Sequence, residues 1–494
     1  MSVRARVQDY VNKMASLLEI LEISPIPIAE YSAVTDTQGL SLKTTEQLDA
    51  AIHQGIDVVL TVIDKLLNDI KQSQDVKRFV QAYTLVLWMD IHISYGPSAD
   101  KGLVSLWPLL PFSGNEPKTI GALNDNYRET GIWINPRYAI IHGACDNGSR
   151  ERALFNRDAF RRMNSRLKNC CYIRWDERIR ISNIVIPFSN DKLPQGENLK
   201  IAFSPITDNP DPLNLRSVEM EHNGVLLRGM EISGLKDEKI IYKRFIASWQ
   251  RACIVGAHIY FGPEMLGSEE MYKQNNDDLE FIVSISDAAM RMGLRPPLLT
   301  VMPSLWRNGL NTSLLAYQDG HILGKQKKNI PFVSASEGFI EALKIEEIRE
   351  YTIIHLPGLY RIAVLLCAEF LPQADCDSVD MLCHDLGVNL IIVPSYSKGE
   401  QDFMNSLPSV RPYGTNVVWG DCCGAVKFKP RIIGGCAIAG TDYVGRMGSV
   451  CQCNNECKEG WGCLFTVCLP LVPQMDKPDS MCIDAAIEHI LYPI

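Results

Sequence analysis

Hydrophobic positions in the first fifth of the chain fall at helical spacing. Residues 4–22 and 44–94 both show it, and Leu48, Ile52, Ile56, Val59, Val62 and Ile63 line one face of the second stretch. Thr44 or Thr45 suits an N-cap there, because its hydroxyl can accept from a backbone N–H that the first turn leaves unpaired. A further helix is predicted from Asp75 to about Met89, and the polar turn near Ser73 makes a helical hairpin the simplest packing. Pro97, Pro108, Pro111 and Pro117 mark 95–130 as irregular connection. Between Gly131 and Asn190 the texture is mixed. A helix at 150–168 carries Arg150, Arg152, Arg157, Arg161, Arg162 and Arg166 and reads as a solvated face, while Ile181–Pro187 is a strand candidate.

The pattern changes at Asp191–Asn198, a polar stretch with Pro and Gly that suits a linker. Beyond it, short apolar runs alternate with helical segments. The predicted order is strand 199–204, helix 239–254, strand 256–261, helix 268–292, strand 298–302, paired strands 311–317 and 321–327, and helix 337–349. Strand 362–366, helix 376–386 and strands 389–394, 415–420 and 462–469 complete it. Such alternation predicts an α/β sheet protein. The expected division is a mostly helical module over 1–196, to which the sequence assigns no role, a sheet domain over 197–472 and a C-terminal tail over 473–494. Within the tail, 483–494 reads as a docking helix or a partner contact.

Composition narrows the field. With 494 residues the chain is too long for one ordinary core, and 46% hydrophobic with 22% charged residues is globular material. A net charge of −9 offers no overall electrostatic footprint for nucleic acid or an anionic membrane. No apolar run approaches the roughly 18 residues that span a bilayer. The first nine residues lack an apolar export segment, so the expected compartment is the cytosol, where the sixteen cysteines would stay reduced.

Three strand ends carry candidate chemistry. The run Gly256-Ala257-His258-Ile259-Tyr260-Phe261-Gly262-Pro263-Glu264 is a short strand that Pro263 must stop just where an acid emerges, fit for an N-cap or a general base. Asp319-Gly320, between two runs of strand character, is a hairpin signal, and its second strand ends in Lys325, Lys327 and Lys328. Ile362–Leu366 reads as a strand buried on both faces and delivers Cys367 at its carboxyl end, where open α/β sheets place their ligands.

In that order, the acid after Gly-Ala-x-x-x-x-x-Pro-Glu, the lysine after the Asn311 hairpin and Gly324, and the cysteine after an apolar strand resemble the Glu-Lys-Cys signature of the nitrilase superfamily, the carbon–nitrogen hydrolases. Leu390–Ser395, Arg411–Gly424 and Gly434-Gly435-Cys436-Ala437-Ile438 are similar to later family segments, with Cys436 where a serine is usual. The resemblance covers about 199–472. It implies a four-layer α-β-β-α sandwich, assembly into homo-oligomers, and a small-molecule amide, carbamoyl or nitrile substrate, with no cofactor and no catalytic metal. It assigns Glu264 as general base, Lys328 as catalytic lysine with Lys327 as the fallback, and Cys367 as nucleophile. Glu337 falls where many members carry a second acid, with Glu341 close by. Ala368 stands where an aromatic is common, which implies a roomier substrate pocket, and Tyr396 is a pocket-lining candidate whose reading as sheet packing is as good.

Two readings from other classes stay open at this level: a nitrilase-like binding or regulatory protein whose N-terminal module recruits a protein partner, and acyl transfer to an amine through the same acyl-cysteine. Cys451, Cys453, Cys457 and Cys463 share a short polar loop, but their spacing is not that of paired zinc ribbons, so reduced loop cysteines are the expectation.

Overall fold

The structure is a computed structural model. It describes residues 2–22, 37–72, 77–94, 104–106, 109, 117–136, 164, 167–186, 198–207, 209, 211–222, 224–334, 338–356, 359–372, 378–423, 425, 432–439, 441–448, 461–469 and 487–493. The chain divides into two compact units. One is Met1–Pro187 with His355–Tyr360 and Asp380–Gly387; the other is Phe188–Ile354 with Arg361–Val379 and Val388–Ile494.

The first unit contains the helices Val3–Glu22, Thr37–Ile52, Ile56–Gln72 and Lys77–Ile91. Val7, Val11, Met14 and Leu18 of the first pack with Val59, Ile63, Leu85 and Met89 in one apolar core. The apolar face read as continuous from Leu48 to Ile63 belongs to two helices. Gly55, at φ +100°, breaks it, and the carbonyls of Ala51 and Ile52 accept from the N–H groups of Gln54 and Gly55. Thr44 therefore lies inside a helix that begins earlier. The strands Ile132–Pro136 and Cys170–Arg174 pair antiparallel, as do Lys118–Ile120 and Ile179–Val185. The buried carboxylate of Asp90 accepts from the backbone N–H of Lys168 at 2.5 Å and of Cys170 at 2.8 Å, tying the fourth helix to the start of strand Cys170–Arg174. Most of the predicted Arg-rich helix lies outside the described residues, as does the Asp191–Glu197 part of the predicted linker.

The second unit is built on mixed sheets. In the first, Ile259–Phe261 lies between Leu199–Phe203 and Leu299–Val301, parallel to both, and antiparallel Leu310–Tyr317 and Trp461–Leu469 flank that trio. The second runs Val444–Met447, Gly434–Ala437, Asn416–Asp421, Leu390–Ser395, Tyr360–Val364 and Arg349–Leu356. Its strands Tyr360–Val364, Leu390–Ser395 and Asn416–Asp421 are parallel and buried along their length, which explains their near-continuous apolar sequence. The two sheets meet where Gly420 lies against the ring of Phe203, so close that a Cβ would come within 2.5 Å of ring carbons. The helix Glu238–Ile254 covers the first sheet with Ile241, Phe245 and Trp249; the Trp249 indole donates to Thr300 Oγ1 at 3.0 Å.

A third, small sheet orders Val333–Ser334, Phe339–Glu341, Val225–Leu235 and Leu213–His222. Its long hairpin was not predicted, although Asn223-Gly224 between alternating Val218, Met220, Leu227 and the neighbours of Met230 is a hairpin signal. Phe339–Glu341 runs parallel to the hairpin's second strand, with Glu341 opposite Met230. This overturns the helix expected over 337–349: Gly338 is at φ +64°, and pairing with the hairpin claims the apolar residues that suggested helical spacing. The helix expected over 268–292 is confined to Glu280–Arg291, and only a short helical turn, Ser378–Asp380, followed by a π turn over Met381–Asp385, occupies 376–386 among the described residues. Ile487–Pro493 is a strand antiparallel to Trp461–Leu469, so the docking-helix reading of the tail is corrected. Among the described residues, no helix is long and apolar enough to cross a membrane.

The hairpin that delivers the lysines turns at Gly320, with φ +95° and its Cα facing Val283; a Cβ there would lie 2.7 Å from Val283 Cγ2 and 2.9 Å from the Val283 backbone nitrogen. Gly320→Ala is expected to cost on the order of 2 kcal/mol through both left-handed strain and overlap, read as a lowered Tm in scanning calorimetry.

Candidate active site

Glu264 enters the site because its strand is forced to end. Gly262 packs on Pro303, where a Cβ would approach to 2.5 Å, and Pro263 has no N–H to continue the ladder. The Glu264 N–H instead donates to Ser395 O at 3.3 Å, crossing to the second sheet, and Met265 follows at φ +64° with its N–H on Ser304 Oγ at 2.8 Å. The Glu264 side chain is fully buried. Its Oε1 accepts from Lys328 Nζ at 2.8 Å and from Asn311 Nδ2 at 2.9 Å, and its Oε2 accepts from the Tyr396 N–H at 3.3 Å.

Lys328 follows the hairpin's second strand, which extends to Lys327, and its N–H donates to Asn311 O at 2.8 Å. Alternation across the hairpin separates the neighbouring lysines. Lys327 reaches Glu346 and Glu350, whereas Lys328 turns inward, with Nζ 2.6 Å from Glu341 Oε2 as well as on Glu264. Glu341 is held by the Phe332 N–H, which donates to the same Oε2 at 2.9 Å. Glu337 lies outside the described residues; the acid in contact with Lys328 is Glu341.

Cys367 opens a short 3₁₀ turn, Cys367–Phe370, directly after the buried strand, and its φ of +52° is a strained value for a residue with a side chain. The turn is pinned by Glu369. One carboxylate oxygen accepts from the Leu366 N–H at 2.8 Å, and the other accepts from the Asn329 N–H at 2.8 Å and Nδ2 at 3.0 Å. Asn329 adjoins Lys328, so one buried acid fixes the cysteine turn to the lysine's segment. Ala368 is buried in the same turn.

The electrostatics follow from burial. Desolvation pushes the Glu264 carboxyl up; the Lys328 ammonium pulls it back, and Glu341 adds to the rise. Burial opposes the charge on Lys328, but Glu264, Glu341 and the thiol together outweigh it and hold its pKa well above the ordinary lysine value. Burial and then Glu264 push the Cys367 thiol well up, against the pull of Lys328. The resting cluster is thus a neutral thiol beside a carboxylate–ammonium–carboxylate array, and the Glu264 carboxylate is within hydrogen-bonding reach of Cys367.

The structure therefore brings Glu264, Lys328 and Cys367 together, with Tyr396 contributing its backbone N–H. Sequence reasoning assigned no role to Asn311, to Asp421 or to Glu369 as a clamp. For Asn311 and Asp421 the available signal was a polar residue at the end of an apolar run, before Leu314–Ala316 and after Val417–Trp419 respectively. Cys463 lies in the strand Trp461–Leu469 of the first sheet, while Cys451, Cys453 and Cys457 are outside the described residues.

No protein-family model and no curated protein matches the chain. Among solved structures, the chain is similar to an amidase from Nesterenkonia sp., at 16% identity and a TM-score of 0.36 over 59% of this chain and 97% of that one. A variant of that amidase, carrying the acetamide moiety of fluoroacetamide on its active-site cysteine, has 16% identity and a TM-score of 0.36 over 56% and 92%. Another, in complex with butyramide, has 16% identity and a TM-score of 0.35 over 56% and 93%. That amidase is described as a member of the nitrilase superfamily, the family this sequence resembles. At TM-scores below 0.5 the likeness carries no argument about this chain's chemistry.

Burial raises the Glu369 carboxyl from 4.5 to about 7. An acid whose pKa is higher folded than unfolded binds its proton more tightly in the native state, so its contribution falls as pH rises from about 4.5 to 7 and then levels off. Relative to Glu369→Gln, the wild type is expected to lose about 2.5 kcal/mol of stability between pH 5 and pH 8. Calorimetric Tm values of the two proteins at both pH values check this; parallel Tm changes would contradict it.

Proposed function

We propose that the chain is a carbon–nitrogen hydrolase of the nitrilase type that cleaves an amide through an acyl-cysteine, with its second unit arranged as the four-layer sandwich that the sequence resemblance implies. The observation that carries this reading is the buried contact of Lys328 with both Glu264 and Glu341, set beside a cysteine on a strained turn. A structural ion pair needs no nucleophile at its edge, and an inert core cysteine needs no left-handed backbone.

In the proposed reaction Glu264 removes the thiol proton as Cys367 Sγ attacks the carbonyl carbon. Because the resting thiol is neutral, proton transfer accompanies attack, and the raised basicity of Glu264 favours it. The carbonyl π pair moves to oxygen, and the ammonium of Lys328 stabilises that charge at no reorganisation cost, since both carboxylates already hold it in place. Glu264 returns the proton to the leaving nitrogen, the C–N bond breaks and ammonia or an amine departs. Water then attacks the thioester carbonyl with Glu264 taking its proton; collapse expels the thiolate, which recovers the proton, and releases the carboxylic acid. Glu341 acts through Lys328, and Asn311 through Glu264, as positioning residues.

Intact-mass spectrometry across a panel of simple amides is expected to reveal an acyl adduct on Cys367 of the wild type that is absent from Cys367→Ala. Lys328→Ala removes the candidate oxyanion donor and is expected to lower turnover at least about 10²- to 10³-fold. Near-wild-type ammonia release by Cys367→Ala would overturn the reading.

A further inference from the structure

One buried carboxyl beside the site takes no part in that chemistry. Asp421 ends the Asn416–Asp421 strand in register with Ser395 and is fully buried. Tyr396, next along from Ser395, gives its N–H to Glu264, so Asp421 stands at the same carboxyl-terminal rim of the sheet as the base and the cysteine. Its position is fixed from both sides: Gly420 is pressed on Phe203, and Oδ1 accepts from the Cys422 N–H at 2.7 Å and the Ser397 N–H at 3.1 Å.

Among the described residues, Oδ2 accepts no hydrogen bond. Ser395 is near enough to influence the carboxyl, but its hydroxyl accepts from Trp419 Nε1 at 2.7 Å and gives its one proton to Gly420 O at 3.3 Å. Leaving a buried carboxylate oxygen unpaired costs on the order of 1–3 kcal/mol, so a strand end built this way calls for a donor. The carboxyl of Asp421 is near enough to Cys367 to oppose ionisation of the thiol, and Glu264 in turn raises the Asp421 carboxyl.

The sign of the local charge selects the donor. Glu264, Glu341, Glu369 and Asp421 are four buried acids, and among the described residues Lys328 pairs with the first two. A second anion brought in with substrate would meet like charge at low dielectric; a cation would relieve it. Burial already pushes the Asp421 carboxyl well up, and a cation at Oδ2 would offset that desolvation.

We propose that Asp421 is the substrate-recognition residue of this site and that the substrate's acyl portion carries a cationic nitrogen, an amine or guanidinium, which donates to Asp421 Oδ2. The assignment rests on the amide-hydrolase reading above. It makes the preferred substrate an ω-amino or ω-guanidino amide, and it disfavours amides that bear a carboxylate.

Calorimetric titration of full-length Cys367→Ala with butyramide, 4-guanidinobutyramide and glutaramate tests this without turnover. The guanidinium amide is expected to bind at least about tenfold more tightly than butyramide, and glutaramate more weakly than either. Adding Asp421→Asn is expected to reduce the guanidinium-to-butyramide affinity ratio about 10- to 100-fold, as for loss of a charged hydrogen bond. A ratio near one in Cys367→Ala, no measurable binding of the guanidinium amide, or a ratio unchanged by Asp421→Asn would each overturn the assignment. If Asp421→Asn does not fold, the ratio in Cys367→Ala alone decides. Ammonia release by the wild type separates the two readings. Charge-selective binding without turnover of any amide supports Asp421 and overturns the hydrolase; turnover without cation preference overturns only Asp421's role.

Discussion

A lysine with no exposed side-chain surface is the constraint around which the second unit is arranged. Lys328 and Glu264 are wholly withdrawn from water and Glu341 nearly so. Removing one partner from such a group leaves an uncompensated buried charge and typically costs about 3–5 kcal/mol, while the intact group contributes little net stability. The arrangement is thus better understood as specifying geometry than as supporting the fold. It requires the strand before Glu264 to stop, the hairpin before Lys328 to keep its register, and the small third sheet to carry Glu341 inward.

Cys367 depends on that group in a different way. Its turn is strained, and Glu369 holds it by accepting hydrogen bonds from both the strand end and Asn329. The thiol and the ammonium are therefore mechanically joined through one carboxyl as well as electrostatically coupled. Their shared environment suppresses the thiolate and makes the Glu264 carboxyl more basic.

The parts legible in the sequence were those where local chemistry and fold agree. Pro263 after an apolar run, Asp319-Gly320 between two strands, and the buried strand before Cys367 each announce themselves within ten residues. The parts that were not legible depend on distant partners. Residues 339–341 have helical spacing in isolation and become a strand only because a hairpin more than a hundred residues upstream offers an edge. The sequence favours Glu337 as the second acid, and Glu341 is brought to Lys328 by the third sheet, which no local pattern announces. Asp421 is a polar residue closing a largely apolar strand, and its meaning lies in an oxygen that no neighbour among the described residues fills. In the first unit, one glycine, Gly55, divides a helical face whose periodicity runs through it.

The hairpin Leu213–Leu235 lies outside both larger sheets, yet its second strand sets the register of Phe339–Glu341, and the Ala342 N–H donates to Met230 O at 3.0 Å. The counter-charge of the lysine is thereby hung from an appendage, not from the main scaffold. Drift in that hairpin would shift the balance between the two carboxylates that share one ammonium, and so change how basic Glu264 is, without altering any residue that meets substrate. The exposed positions of the hairpin would then act as a remote dial on the basicity of Glu264.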